Sequence, residues 1–292
     1  MYTYGIELEL GNTDNTKELP EGWYRTGDPD VMNTKPYRLA CDPEDKDYKI
    51  GGEFNSTPSH SLEEMEQKLV SIFDTHSNAA VNHRCVAHLH IAWPGIREDL
   101  ISLKNYLQYS CDSHKWLIDN VWKCDVSHPL MNGITRRFLL FDSCKMPDYK
   151  KEVCDKATTI QEFKDGFATQ TNGKVNPLSI RRYYINIYSC LKNGGSSIEH
   201  RHFFPSTDIN ELMTGFKLIT RFADEARSGT MTPVQEWATD LLKDLPKECE
   251  YDHELELLWQ KTNYKTNNRD EVNLVRQKLI EEWDNDRARL AI

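Results

Sequence analysis

The sequence predicts an α+β fold, in which an antiparallel β-sheet is backed by helices. Strand-like segments concentrate in the first two thirds of the 292 residues, and helical segments follow them. The predicted strands do not alternate regularly with short helices, and none is followed by a glycine-rich phosphate loop. These features disfavour a Rossmann or P-loop architecture and favour an antiparallel sheet with helices on one side.

Alternation of apolar and polar residues predicts the strands, because successive side chains in a strand point to opposite faces. A Gly194–Gly195 turn between two such segments indicates a β-hairpin. The polar stretches 11–48 and 142–180 are predicted to be irregular. The predicted strands are Tyr2–Leu10, Lys49–Ser56, Cys85–Trp93, Arg182–Cys190 and Ser197–Phe204, with short candidates near Tyr37–Ala40 and Phe138–Phe141.

Apolar residues three and four positions apart predict the helices. Ser61 followed by Glu64 forms a capping-box pattern, which marks the start of the first helix. We expect residues 1–210 to form the core and residues 211–292 to form a helical extension packed on it, within one structural domain. The other predicted helices span residues 98–121, 208–227, 233–244, 251–262 and 270–288.

The chain is acidic, with 46 Asp and Glu against 36 Lys and Arg and a formal net charge of −10. This charge disfavours a general binder of polyanions, because the overall field repels phosphate backbones. The charge is uneven: residues 1–60 carry a net −6, whereas residues 131–205 carry a net +5. One interpretation is ordinary surface variation. The other is that carboxylates in the first part bind metal and cations in the middle part bind phosphate.

The cysteine pattern indicates a reducing compartment. Eight cysteines are scattered singly, with no CxxC pair, and the N-terminal MYTYGIELELG has neither the cationic nor the long apolar region of a secretory signal. No apolar run approaches the ~20 residues that a membrane span needs. We therefore expect a cytoplasmic protein with reduced thiols, no disulfide framework and no membrane partner.

Four predicted strands repeat one design, in which polar or ionisable side chains alternate with apolar ones and so share a face. Two carboxylates on one face repel each other unless a cation compensates them. Each pair alone is typical of a solvated face or a surface ion pair, but the recurrence favours a common site for one or two divalent metals such as Mg²⁺ or Mn²⁺. The pairs are Glu7 with Glu9, Glu53 with Asn55, His88 with His90, and Glu199 with Arg201.

The ordered motifs GIELE, GGEFNSTPS, CVAHLHIAW, RRYYINIYS and SIEHRHFFPSTD resemble the amidoligases of the carboxylate–amine ligase superfamily, distant relatives of glutamine synthetase and glutamate–cysteine ligase. The resemblance spans about residues 3–210. One departure is visible: Val86 stands where the family pattern has a glycine after the cysteine. The resemblance implies a glutamine synthetase-like catalytic core, whose sheet binds ATP and two or three Mg²⁺ ions on its concave face, with Mn²⁺ as a candidate substitute.

The resemblance also implies roles for individual residues. Five match metal ligands, and these are Glu7, Glu9, Glu53, His88 and Glu199. His90 matches a residue near the phosphates, and Arg201 matches a phosphate-contacting arginine. Arg181 or Arg182 matches an upstream arginine for phosphate or for a substrate carboxylate, and Asn186 matches an asparagine without an assigned role. Asp42 is the candidate base for the attacking amine.

The resemblance implies an ATP-dependent ligase that joins a carboxylate to an amine through an acyl phosphate, with the stretch 142–180 as a candidate cover. The substrates would be small molecules, a peptide or a modified nucleic acid, and the setting the cytoplasm of a bacterium or of a virus-infected host. The alternatives are a metal-dependent hydrolase and a non-catalytic binding protein that keeps the fold. The C-terminal helices either pack on the core, which we favour, or mediate oligomerisation.

Overall fold

The computed structural model of the chain describes residues 1–10, 13, 17–26, 52–79, 87–120, 148–168, 185–187, 190, 195, 197–203 and 206–242. Its centre is a six-stranded, fully antiparallel sheet with the strand order β2-β3-β1-β4-β6-β5. The mixed α+β architecture with an antiparallel sheet is therefore confirmed. The strands are β1 (Thr3–Leu10), β2 (Trp23–Thr26), β3 (Gly52–Ser56), β4 (Ala87–Ala92), β5 (Ile185–Asn186) and β6 (Ile198–Phe203).

Helices cover one face of this sheet, because every second residue of the central strands is apolar. In β1, for example, Ile6, Leu8 and Leu10 are buried on the helix side. Burial of this apolar surface is the main driving force that holds helices and sheet together. The helices are α1 (Leu62–Thr75), α2 (Leu100–Asn120), α3 (Asp148–Lys156), α4 (Ile160–Ala168), α5 (Ile209–Ser228) and α6 (Ala238–Leu242), with a short 3₁₀ helix at Val234–Glu236.

Helix α1 begins where the capping-box pattern predicts. The Ser61 hydroxyl accepts a 3.0 Å hydrogen bond from the amide of Glu64, and the Glu64 carboxylate accepts one of 2.7 Å from the amide of His60. The buried stripe of the helix contains Met65, Leu69 and Ile72. Local sequence therefore sets both the start and the orientation of this helix.

Helix α5 approaches the sheet closely at Gly215. A β-carbon at this position would lie 2.6 Å from Cδ1 of Leu89 in β4 and 2.9 Å from the ring of Phe203 in β6. The absence of a side chain thus allows the helix to pack directly against the two strands. Asp208 caps the start of α5, and Gly229, with a φ of 73°, ends it in the left-handed conformation that favours glycine.

Two stretches that we expected to be irregular contain regular structure. Strand β2 lies inside the predicted loop 11–48, and its Trp23 indole donates a 3.0 Å hydrogen bond to the carbonyl oxygen of Lys68. Helices α3 and α4 lie inside the stretch 142–180. Thr159 and Glu162 form a capping pair at the start of α4, a sequence signal that could have revealed this helix.

The predicted helix 233–244 is also wrong in detail, because it is broken into the 3₁₀ turn and α6. Trp237 interrupts it, and its indole donates a 2.9 Å hydrogen bond to the hydroxyl of Tyr109 in α2. Predictions at 37–40, 138–141, 251–262 and 270–288 lie outside the described residues. Among the described residues, no helix combines the length and apolarity that crossing a membrane requires.

Candidate metal centre

The polar face of the sheet brings the predicted side chains together in cross-strand rows. Residues directly opposite each other in an antiparallel pair point to the same face. Glu7 of β1 lies opposite Asn55 of β3 on one side and His88 of β4 on the other. In the next row, Glu9 lies opposite Glu53. A third row runs across four strands and contains Gly5, His90, Glu199 and Asn186.

Three of the predicted ligands converge at the centre of this face. Nδ1 of His88 lies 3.1 Å from Oε1 of Glu7 and 3.4 Å from Oε1 of Glu199. One ligand atom from each residue lies within 4.8 Å of the other two, and the group is half-buried to buried. Glu7 and Glu199 are 192 positions apart in the chain. They meet at His88 because β1 and β6 both pair with β4, one on each side of it.

A β-bulge beside His88 contributes to this geometry. Ala87 pairs with Phe203 and Leu89 pairs with His200, so β6 has one more residue than β4 in this interval. A bulge re-aims side chains locally and increases the strand twist. Next to the bulge, where the register is regular, His200 faces the helices and is fully buried, while Glu199 faces the polar side.

Glu199 is held by several polar partners, and only 6% of the residue is exposed. Its Oε2 accepts a 2.7 Å hydrogen bond from Nδ2 of Asn186, and its Oε1 accepts one of 2.5 Å from Nη1 of Arg201. Burial by itself raises the pKa of Glu199, but the charges of His88 and Arg201 outweigh it, so the pKa lies below the usual value. The carboxylate is therefore ionised at neutral pH, as a metal ligand must be.

Glu53 belongs to a second polar group beside the first. Its Oε1 accepts hydrogen bonds from the Thr26 hydroxyl and, at 2.9 Å, from Nδ2 of Asn55. The same amide donates a 2.9 Å hydrogen bond to the Thr26 hydroxyl. Glu9, opposite Glu53, is 8% exposed. The structure thus places these two predicted ligands next to the central cluster, in the adjacent row.

His90 lies opposite Glu199 in the third row, and its Nδ1 lies 3.1 Å from the Ser197 hydroxyl. Sequence reasoning did not identify Ser197 as a site residue, although its spacing of two from Glu199 puts it on the same face. Thr26 was also missed, because β2 itself was not predicted. Three predicted site residues, Asp42, Arg181 and Arg182, lie outside the described residues.

The donor set suits a divalent cation. Two carboxylates and one imidazole offer oxygen and nitrogen ligands, a mixture that Mn²⁺ and Zn²⁺ accept and that Mg²⁺ accepts chiefly through the oxygens. Asn186 orients Glu199 by a hydrogen bond to its second oxygen, as outer partners of metal ligands commonly do. The residues present therefore fit a metal ion at Glu7, His88 and Glu199.

No protein-family model, curated protein or solved structure matches this chain.

Proposed function

We propose that the chain is an ATP-dependent carboxylate–amine ligase whose active site is the polar face of the sheet. The observation that carries the proposal is the convergence of Glu7, His88 and Glu199 on one point, with ligand atoms within 4.8 Å of one another. The motifs that supply these residues occur in the order of the amidoligase pattern. The antiparallel sheet with one polar face is the architecture that this pattern implies.

In this proposal Glu7, His88 and Glu199 hold a divalent cation, and Glu9 with Glu53 offers a second pair of carboxylates in the adjacent row. A bound Mg²⁺ or Mn²⁺ would neutralise phosphate oxygens and so permit a carboxylate to attack ATP. The carboxylate oxygen takes the γ-phosphoryl group, ADP leaves, and the amine nitrogen then displaces phosphate from the acyl phosphate. Arg201 supplies a permanent positive charge on the same face.

The same three ligands would also serve a metal-dependent hydrolase, since one metal with open positions activates water. The two activities differ in what they consume. A ligase consumes ATP only when both a carboxylate and an amine are present, whereas a hydrolase cleaves its substrate without nucleotide. A non-catalytic protein would bind metal or nucleotide without turnover.

The first part of the experiment measures Mn²⁺ and Mg²⁺ binding by calorimetry. Glu7→Gln should weaken binding by about tenfold or more, because one charged ligand is lost. Glu21→Gln is the matched control, since it makes the same charge change at an exposed position. Equal metal binding by wild type and Glu7→Gln would contradict the assignment of the site.

The second part tests the reaction. The wild-type protein with Mg²⁺ is incubated with ATP and a panel of amino acids, short peptides and amines, and products are detected by mass shift and phosphate release. We expect phosphate release that requires both partners and that Glu7→Gln abolishes. Metal-dependent cleavage without ATP would overturn the ligase in favour of the hydrolase.

A further inference from the structure

A positively charged side chain, Arg201, contacts the cluster of Glu7, His88 and Glu199. Nη1 of Arg201 lies 2.5 Å from Oε1 of Glu199, and Nδ1 of His88 lies 3.4 Å from the same oxygen. Arg201 and Glu199 are two residues apart on one strand, so both side chains reach the polar face. The Glu199 oxygen that lies 3.4 Å from His88 is therefore already engaged by a permanently charged guanidinium.

The guanidinium of Arg201 would compete with a metal ion for Oε1 of Glu199. A carboxylate has about four lone-pair positions, and Oε2 of Glu199 already accepts from Asn186. A metal ion requires a lone pair at about 2.0–2.2 Å from the oxygen. A cation bound at Oε1 would lie close to the guanidinium that now donates to this oxygen, and the two positive charges repel each other.

The Arg201 side chain is partly exposed to solvent. A third of the Arg201 side chain is exposed, whereas the Glu199 side chain is 8% exposed, so solvent-accessible space is available to the arginine and not to the glutamate. A guanidinium released from a carboxylate presents a planar set of donors that matches the oxygens of a phosphate group. In the described strand pairs, the residues opposite Glu7 and Glu199 outside the cluster are Asn55, His90 and Asn186, none of which carries a permanent positive charge.

We propose that Arg201 exchanges between Glu199 and a phosphate-bearing ligand, and that metal binding at Glu7, His88 and Glu199 drives the exchange. The inference rests on the metal site of the proposed function. It adds that metal binding strengthens phosphate binding on the same face. Without metal, Arg201 stays bound to Glu199, and the face binds phosphate weakly. With metal, Arg201 is released and phosphate binding is strengthened. The coupling is reciprocal, so phosphate also favours metal binding.

The decisive experiment removes the Glu199 carboxylate, which competes with phosphate for Arg201, and adds no metal. Inorganic phosphate is titrated calorimetrically, in EDTA and at low salt, into wild type, Glu199→Gln and Glu7→Gln. Both variants remove one negative charge from the cluster, but only Glu199→Gln frees Arg201. We expect Glu199→Gln to bind phosphate about five- to 150-fold more tightly than wild type, the range typical of coupled sites, and Glu7→Gln to gain at most about twofold. The double variant Glu199→Gln/Arg201→Gln should lose the gain.

Equal gains in Glu199→Gln and Glu7→Gln would overturn the exchange, because charge alone would then explain the binding. Survival of the gain in the double variant would overturn it as well. Since these titrations contain no metal, they remain informative even if wild type proves unable to bind Mn²⁺. Failure of the wild-type protein to bind Mn²⁺ would count against the proposed function and not against the exchange of Arg201.

If Glu199→Gln folds poorly, a second measurement tests the same proposal without this variant. Mn²⁺ affinity is measured for Arg201→Gln, with Lys217→Gln on the exposed side of α5 as the charge control. If Arg201 competes with the metal, its removal tightens Mn²⁺ binding by more than about threefold, whereas Lys217→Gln leaves it unchanged. If Arg201 instead orients Glu199 as a supporting partner, its removal weakens binding by about 10- to 100-fold, and the proposal is wrong.

Discussion

The hydroxyl of Tyr106 in α2 lies 2.5 Å from Nε2 of His200 in β6, and both residues are completely buried. His200 faces the helices, while its neighbour Glu199 faces the polar side of the sheet. The pair therefore connects β6 to α2 on the core side of the sheet, next to Glu199 of the candidate metal cluster. The core side of the strand thus determines where a site residue on the opposite side is held.

Tyr106→Phe tests this contact. We expect a loss of about 1–3 kcal/mol in the free energy of unfolding, because a buried imidazole nitrogen loses a hydrogen-bond partner. Urea denaturation followed by circular dichroism measures the loss. Tyr24→Phe is the control, since Tyr24 is 50% exposed, and it should change stability by less than about 0.5 kcal/mol. Equal stability of the two variants would show that the contact contributes nothing.

Asn186→Asp tests the support of Glu199. The substitution replaces an amide that donates to Oε2 with a carboxylate that repels it. In EDTA we expect about 1.5–3 kcal/mol of destabilisation, the value of a hydrogen bond to a charged group. Saturating Mn²⁺ should recover part of it, because the metal compensates the added charge.

Asn105→Asp is the matched control for this metal effect. Asn105 donates a 2.9 Å hydrogen bond to the carbonyl oxygen of Ala226, far from the polar face. The variant should lose stability to the same extent with and without Mn²⁺. If Mn²⁺ restored the stability of both variants equally, Asn186 would have no specific role at the metal site.

Gly215→Ala tests the close contact of α5 with the sheet. The added methyl group would lie 2.6 Å from Leu89 Cδ1, which forces α5 or β4 to move. Overpacking typically costs about 1–3 kcal/mol, against up to about 1 kcal/mol gained in helix propensity. We expect net destabilisation and weaker Mn²⁺ binding, since Leu89 separates His88 from His90. Lys217→Ala, on the exposed side of the same helix, should change neither property.

Cys190 provides a pH-dependent prediction. Burial raises the pKa of its thiol to about 12, compared with about 8.5 for an exposed cysteine. The folded state thus disfavours the thiolate. The corresponding stability is complete below about pH 8.5 and is lost as the pH rises from there toward 12. Cys190→Ala should flatten the fall in stability between about pH 8.5 and 10.

The same pKa predicts low reactivity, because the thiolate is the nucleophile. In the native protein at pH 8, iodoacetamide should label the half-buried Cys111 much faster than Cys190. Peptide mass spectrometry resolves the two sites. Comparable labelling before urea is added would show that Cys190 is accessible, contrary to its position in the core.

The sequence predicts the central features of the fold because they are local. Alternation identifies β1, and the capping box at Ser61 identifies the start of α1. Elements were missed where local signals were weak. Strand β2 is four residues long, and its backbone is held by pairing with β3. Helices α3 and α4 are nine residues each, which is too short to be stable without tertiary packing.

The sequence by itself also determined which side chains share a face, since the period of a strand is two. It therefore identified Glu7, His88 and Glu199 as members of polar faces. Only the tertiary structure decided that these three meet, because strand order and register are non-local. The β-bulge beside His88 likewise depends on how β4 and β6 pair. Periodicity specifies the direction of a side chain, whereas its neighbours across the sheet depend on the packing of the whole chain.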